Sequence, residues 1–137
     1  MNWKITFQLS IFGLIMAFAT VSLIPQNIEW VFWLVIFVFC AYVIAKVCQG
    51  KYFLNGFLVS LFNCVWIVAV HIAYYKSYVA NHTDMASETT KMLPASLAIH
   101  PRLAMVIVGS IFGVASGIFL GLFSFIASKI VKKNQGV

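Results

Sequence analysis

Four long apolar stretches, Ile5–Ile24, Ile28–Ala45, Phe53–Tyr75 and Leu103–Ala127, take up most of this 137-residue chain and leave little else to build with. A helix that crosses a bilayer needs about 20 apolar residues, and each stretch is close to that length or above it. A chain that is 63% hydrophobic and 9% charged departs from soluble domains, which carry about 25% charged residues. The fold expected is all-α: an integral membrane bundle of four antiparallel spans, about 5–24, 28–47, 53–75 and 102–130, in a single domain covering 1–137. The outer loop, 76–101, carries a short extracytoplasmic surface helix between spans three and four.

The placement of charge sets the orientation. Lys4, Lys46, Lys51, Lys129, Lys132 and Lys133 fall on one side of a four-span chain, while Lys76, Lys91 and Arg102 share the other with Glu29, Asp84 and Glu88. The excess of +6 therefore sits on one face, and the positive-inside rule puts both termini in the cytoplasm. That placement argues for a lipid partner and against nucleic acid. Cys40, Cys48 and Cys64 lie within or at the ends of spans with no zinc-site spacing, and read as small packing residues.

Two spans carry small residues at helical spacing. In the last, Gly109, Gly113, Gly117 and Gly121 recur every fourth residue, which lays bare backbone along one stripe. In the first, Thr6, Ser10, Gly13, Ala17 and Thr20 are spaced 4, 3, 4, 3, a heptad seam suited to close left-handed packing. Ala17-Phe18-Ala19 has the look of a signal-peptidase site, but the apolar run continues past it. Pro25 ends the first span, Asn27 is positioned to cap the second, and the residues between them form a tight hairpin. Glu29 lies in the first turn of span two, where the helix dipole favours a carboxylate.

Span three holds the strongly polar groups. Gly56, Ser60, Asn63, Ile67, Val70, His71 and Tyr74 follow one helical face, with His71 about 12 Å beyond Asn63 at 1.5 Å per residue. Asn63 reads as interhelical glue, and His71, an ionisable group in a span, as a functional candidate lying near a wet end. Thr83-Asp84 with Glu88 and Lys91 reads as the surface helix, capped by Thr83 and stopped by Pro94, and Pro101 suits the first turn of span four.

All three carboxylates lie outside the spans, which argues against proton-coupled export. His71, His82 and His100 all lie toward the outer side and could form a metal site, or His71 and His100 the axial pair of a haem, but their spacing matches no metal motif, so no cofactor or metal site is expected. No phosphate loop, nucleophile elbow or HExxH helix is present.

Lys51-Tyr52-Phe53 leading into Gly56-Phe57, an outward segment closed by His100-Pro101-Arg102, and a last span ending Gly121-Leu122-Phe123 and Ser128-Lys129 resemble an uncharacterised family of small four-span bacterial membrane proteins, known mainly as a domain of unknown function. The resemblance implies a bacterial inner-membrane location and four helices, and brings no catalytic residues with it. The expected role is that of a non-enzymatic structural or accessory subunit, a homo-oligomer or part of a larger membrane complex, associating through the small-residue faces of spans one and four. The alternative is a small oligomeric transporter or channel with a polar path at Asn63 and His71.

Overall fold

The structure of the protein is a computed structural model that describes residues 1–131. Lys132 and Lys133 of the basic cluster lie outside the described residues. The elements are α1 (Trp3–Ser22), α2 (Gln26–Val47), α3 (Tyr52–Ala73), α4 (Tyr75–Asn81), α5 (Thr83–Met92), α6 (Ala95–Ala98) and α7 (Pro101–Ile130). Four of them, α1, α2, α3 and α7, are long and apolar enough to cross a membrane.

Helix ends follow local chemistry. Asn2 caps α1, its side chain accepting the Ile5 N–H at 3.2 Å. Asn27 does not cap α2: the helix begins at Gln26 with Pro25 in the cap position and no side-chain cap bond. Proline's fixed φ sets the chain up for a helix one residue earlier, so Asn27 is already inside. The α2–α3 turn uses Gly50 at φ 155° and Lys51 at φ 50° in the left-handed region, which costs a non-glycine residue about 1 kcal/mol. Asn55 holds that turn. Its amide N–H groups donate to the carbonyls of Gly50 (3.2 Å) and Lys51 (3.0 Å), and its oxygen accepts from the Asn2 N–H (3.1 Å) and the Thr6 hydroxyl (3.4 Å).

α3 is central. It packs chiefly on α7 and α1, while α2 rests mainly on α7 and touches α1 and α3 only slightly. Along the α1–α2 hairpin the backbones stand apart and side chains bridge them, as Phe12 and Phe39 do with ring centres 5.5 Å apart. Contacts between Asn2 and Asn55 at one end, and Thr20 and His71 at the other, show that α1 runs parallel to α3. Gly109 lies opposite Val68 and Gly121 opposite Phe53, so α7 runs antiparallel to it.

Both small-residue faces are turned to α3. Thr6, Ser10, Gly13, Ala17 and Thr20 are all buried, and a Cβ on Gly13 would come within 2.6 Å of the Asn63 Cα. On α7 the glycines accept Val68, Cys64, Phe57 and Phe53 in turn; a Cβ on Gly113 would sit 2.6 Å from Cys64 Sγ. The Cys64 thiol donates to the Gly109 carbonyl at 3.0 Å, and the Ser60 and Ser116 hydroxyls meet at 2.8 Å. The single polar face expected of α3 is therefore divided, with Gly56 and Ser60 meeting α7, and Asn63 and His71 meeting α1.

The segment between α3 and α7 carries three helices where one was expected. α4 follows α3 after a single irregular residue, Tyr74. α5 is capped by His82 rather than Thr83, with no side-chain cap bond, and Pro94 occupies the cap position of α6. Pro101 stands in the first turn of α7 as expected.

Candidate functional site

Residues 71, 78 and 82 are spaced seven and four apart, and the helical repeat carries through the break at Tyr74, bringing all three rings into one column. Tyr78 lies between two imidazoles: the His71 ring is stacked on it at 4.0 Å and 22°, the His82 ring at 4.4 Å and 17°. The column stands at the end of the molecule where α1 turns into α2, and two further helices close it.

On the α1 side, the Thr20 hydroxyl lies 2.8 Å from the Met16 carbonyl and 3.2 Å from that of Ala17, and 2.9 Å from His71 Nε2. Carbonyls only accept, so the hydroxyl gives its proton to the backbone and its oxygen accepts from His71 Nε2–H. His71 is 6% exposed; it is not wet as expected, because the Tyr78 ring from α4 is stacked on it and α1 covers its other side.

On the α2 side, Glu29 Oε2 stands 3.7 Å from His82 Nε2, and Glu29 Oε1 accepts the Trp33 indole N–H at 3.1 Å. His82 Nδ1 lies 3.2 Å from the Tyr78 carbonyl, so Nδ1 carries a hydrogen, while Nε2 is buried with no hydrogen-bond partner. Asn81 ties the end of α4 to α1 by donating to the Val21 carbonyl at 3.1 Å. Burial, and then the charge of Glu29, push the Tyr78 phenol up to about 12; it stays protonated and points its hydroxyl at Met85 Sδ, 3.6 Å away.

The polar residues singled out from sequence do not meet. Asn63 lies on the α1–α3 seam, 2% exposed, and neither polar atom of its side chain has a hydrogen-bond partner. It is not interhelical glue. The group facing it is Gly13, which has no side chain to offer and whose backbone groups belong to the helix. His100 is exposed and lines a shallow cavity of about 520 Å³ with Tyr75, Ile99, Pro101, Arg102 and Leu103. The Arg102 guanidinium there lies 5.6 Å from the centre of the Tyr75 ring. His71 is thus grouped with His82, not with His100, and its Nε2 is committed to Thr20. Among the described residues no three His, Cys, Asp or Glu side chains converge as a metal site would require.

Sequence reasoning missed Tyr78, His82 and Glu29 as members of one site, and Asn55 as a clasp. The signal for the first two was available: a helix continued past Tyr75 places 71, 78 and 82 on one face.

Fold and site together define an all-helical protein with four helices long and apolar enough to span a membrane, carrying at one end a His–Tyr–His column whose two imidazoles are buried and one of which faces a carboxylate. No family model matches the chain, and neither a curated protein nor a solved structure matches it.

Proposed function

We propose that the chain is a non-enzymatic integral protein of the bacterial inner membrane, a structural or accessory subunit with four spans and both termini in the cytoplasm. The distribution of charge supports this orientation. Lys4, Lys46, Lys51 and Lys129 lie at the end that holds the N-terminus, and Glu29, Lys76 and Arg102 at the other.

The observation that carries the reading is the filled seam around α3. Gly13 closes on Asn63 and the α7 glycines close on Val68, Cys64, Phe57 and Phe53, which favours close packing along both seams of α3 over an aqueous path there. Because these faces are occupied within the chain, a partner meets the outward sides of α2 and α7, where Trp30, Val35, Ile111, Phe112 and Phe119 are exposed. A second reading, a small oligomeric transporter or channel, draws on one observation: the Asn63 amide is desolvated with nothing to bond, a cost of about 1–3 kcal/mol that an open, hydrated state would remove.

One experiment separates the two. Cys40, Cys48 and Cys64 are replaced by Ala, Asn63 by Cys, and intact and inverted vesicles are treated with a membrane-impermeant maleimide. No labelling at position 63 from either side, with full labelling after denaturation, supports the structural reading. Labelling in native vesicles overturns it in favour of the transporter.

A further inference from the structure

We propose that His82 and Glu29 form a proton-operated latch, in which one proton taken up between His82 Nε2 and Glu29 Oε2 fastens α4 and the segment behind it to the start of α2. The latch follows from where the hydrogens on His82 can sit and does not depend on the accessory role proposed above.

His82 Nδ1 faces the Tyr78 carbonyl at 3.2 Å and must carry a hydrogen to bond it. In a neutral ring the hydrogen is then spent, and Nε2 presents a lone pair. Opposite that lone pair, at 3.7 Å, stands a carboxylate oxygen, which also only accepts. Two acceptors face each other in a site where His82 is 1% exposed and Nε2 has no other partner. A single proton on Nε2 converts the mismatch into a charge-assisted N–H···O bond, whose usual length of about 2.7–2.9 Å requires the pair to close by about 1 Å.

The surroundings are arranged for that added charge. The Tyr78 face lies 4.4 Å from the His82 ring, where the negative face of an aromatic ring attracts a cation. Its phenol stays protonated and so adds no negative charge beside that of Glu29. The Trp33 indole holds the other carboxylate oxygen and keeps Glu29 aimed at His82. The groups facing the ring are Glu29 with Trp33 from α2, Tyr78 from α4 and, across Tyr78, His71 from α3; α1 presents the Thr20 hydroxyl and the Val21 carbonyl, neither of which titrates. Glu29 keeps part of its side chain, 22%, in contact with the medium, which gives the proton a way in. Unprotonated, the segment is held by the ring stack and by Asn81 on Val21; protonated, it gains a bond to α2.

Hydrogen exchange read by mass spectrometry on the full chain in lipid nanodiscs tests this at about pH 5 and pH 8, with rates corrected for intrinsic exchange. In the wild type, amides of residues 75–92 should exchange several-fold more slowly at the acid pH. H82N and E29Q should each abolish the difference, and the double variant should add nothing, whereas H71N should retain it. A pH difference that survives H82N or E29Q, or that is lost only in H71N, overturns the latch. Nitrogen NMR of wild-type protein labelled at histidine provides the reading should a variant fail to fold. The His82 ring should carry hydrogen on Nδ1 throughout, gain one on Nε2, and shift the Trp33 indole proton in the same step. A ring with bare Nδ1, or a titration to which Trp33 does not respond, refutes the proposal.

Discussion

One methyl group added at Gly13 probes a place where two helices meet main chain to side-chain root. Built on the present backbone, an alanine Cβ there lies 2.5 Å from Asn63 Oδ1, 2.6 Å from its Cα and 2.7 Å from its Cβ. Carbon atoms in ordinary contact stand about 3.5–4.0 Å apart, so α1 and α3 must separate by about 1 Å. A rotamer change at Asn63 moves the amide but not Cα or Cβ. Parting the helices also stretches the flanking bonds, His71 to Thr20 at 2.9 Å and Thr6 to Asn55 at 3.4 Å. Overpacking costs about 1–3 kcal/mol, and a clash against an immovable backbone atom puts G13A near about 3 kcal/mol. Gly113 supplies the internal comparison. A Cβ there meets Cys64 Sγ at 2.6 Å and Cβ at 2.7 Å, both of which C64G removes, so C64G should rescue G113A with a coupling of at least about 1 kcal/mol in a double-mutant cycle. N63A, which keeps Cα and Cβ, should not rescue G13A. Unfolding by titration with sodium dodecyl sulfate in mixed micelles, followed by circular dichroism, measures both cycles. G13A unfolding at the wild-type midpoint, or N63A rescuing it as fully as C64G rescues G113A, would refute the main-chain contact.

Three further outcomes follow from the same geometry. N63L keeps the branched shape and removes an amide that has no partner, so it should stabilise the protein by about 1 kcal/mol or more in the same titration; a loss of stability would mean that the amide is bonded. Tyr78 is pushed from the ordinary 10 up to about 12 by burial first and then by Glu29. A raised folded-state value leaves stability intact below pH 10 and erodes it as pH climbs through about 12, so across that window the wild type should lose about 2–3 kcal/mol more than Y78F in pH-dependent unfolding. N55A removes all four hydrogen bonds of the Asn55 side chain, and should cost about 1–3 kcal/mol and increase proteolysis at the Gly50–Lys51 turn.

The long helices were legible from the apolar runs, and the two small-residue stripes from their spacing. What periodicity supplies is a face, not the neighbour that the face meets. Nothing in Ser10, Gly13 and Ala17, or in Gly109 to Gly121, says that both stripes seek the same helix, or that α2 rests on α7 instead of its hairpin mate. Asn63 was misjudged because a buried amide ordinarily finds a partner, and the neighbour here is a glycine with nothing left to bond. Ending the third span at Tyr75 and reading the residues beyond it as a loop with one surface helix hides the column. From sequence Glu29 reads as a dipole partner alone, since its distance to His82 depends on where α4 ends beside α2.

The lateral order of the helices bears on how the chain assembles. α2 is made before α3 and α7, yet the surface it chiefly rests on belongs to α7. Until α7 emerges, Cys40, Ala41 and Ile44 of α2 lack the part of their cover that includes Leu120. A chain halted before α7 would therefore leave two helices, α2 and α3, without their principal neighbour, and the finished arrangement becomes available only once the ribosome has delivered the final thirty-residue helix.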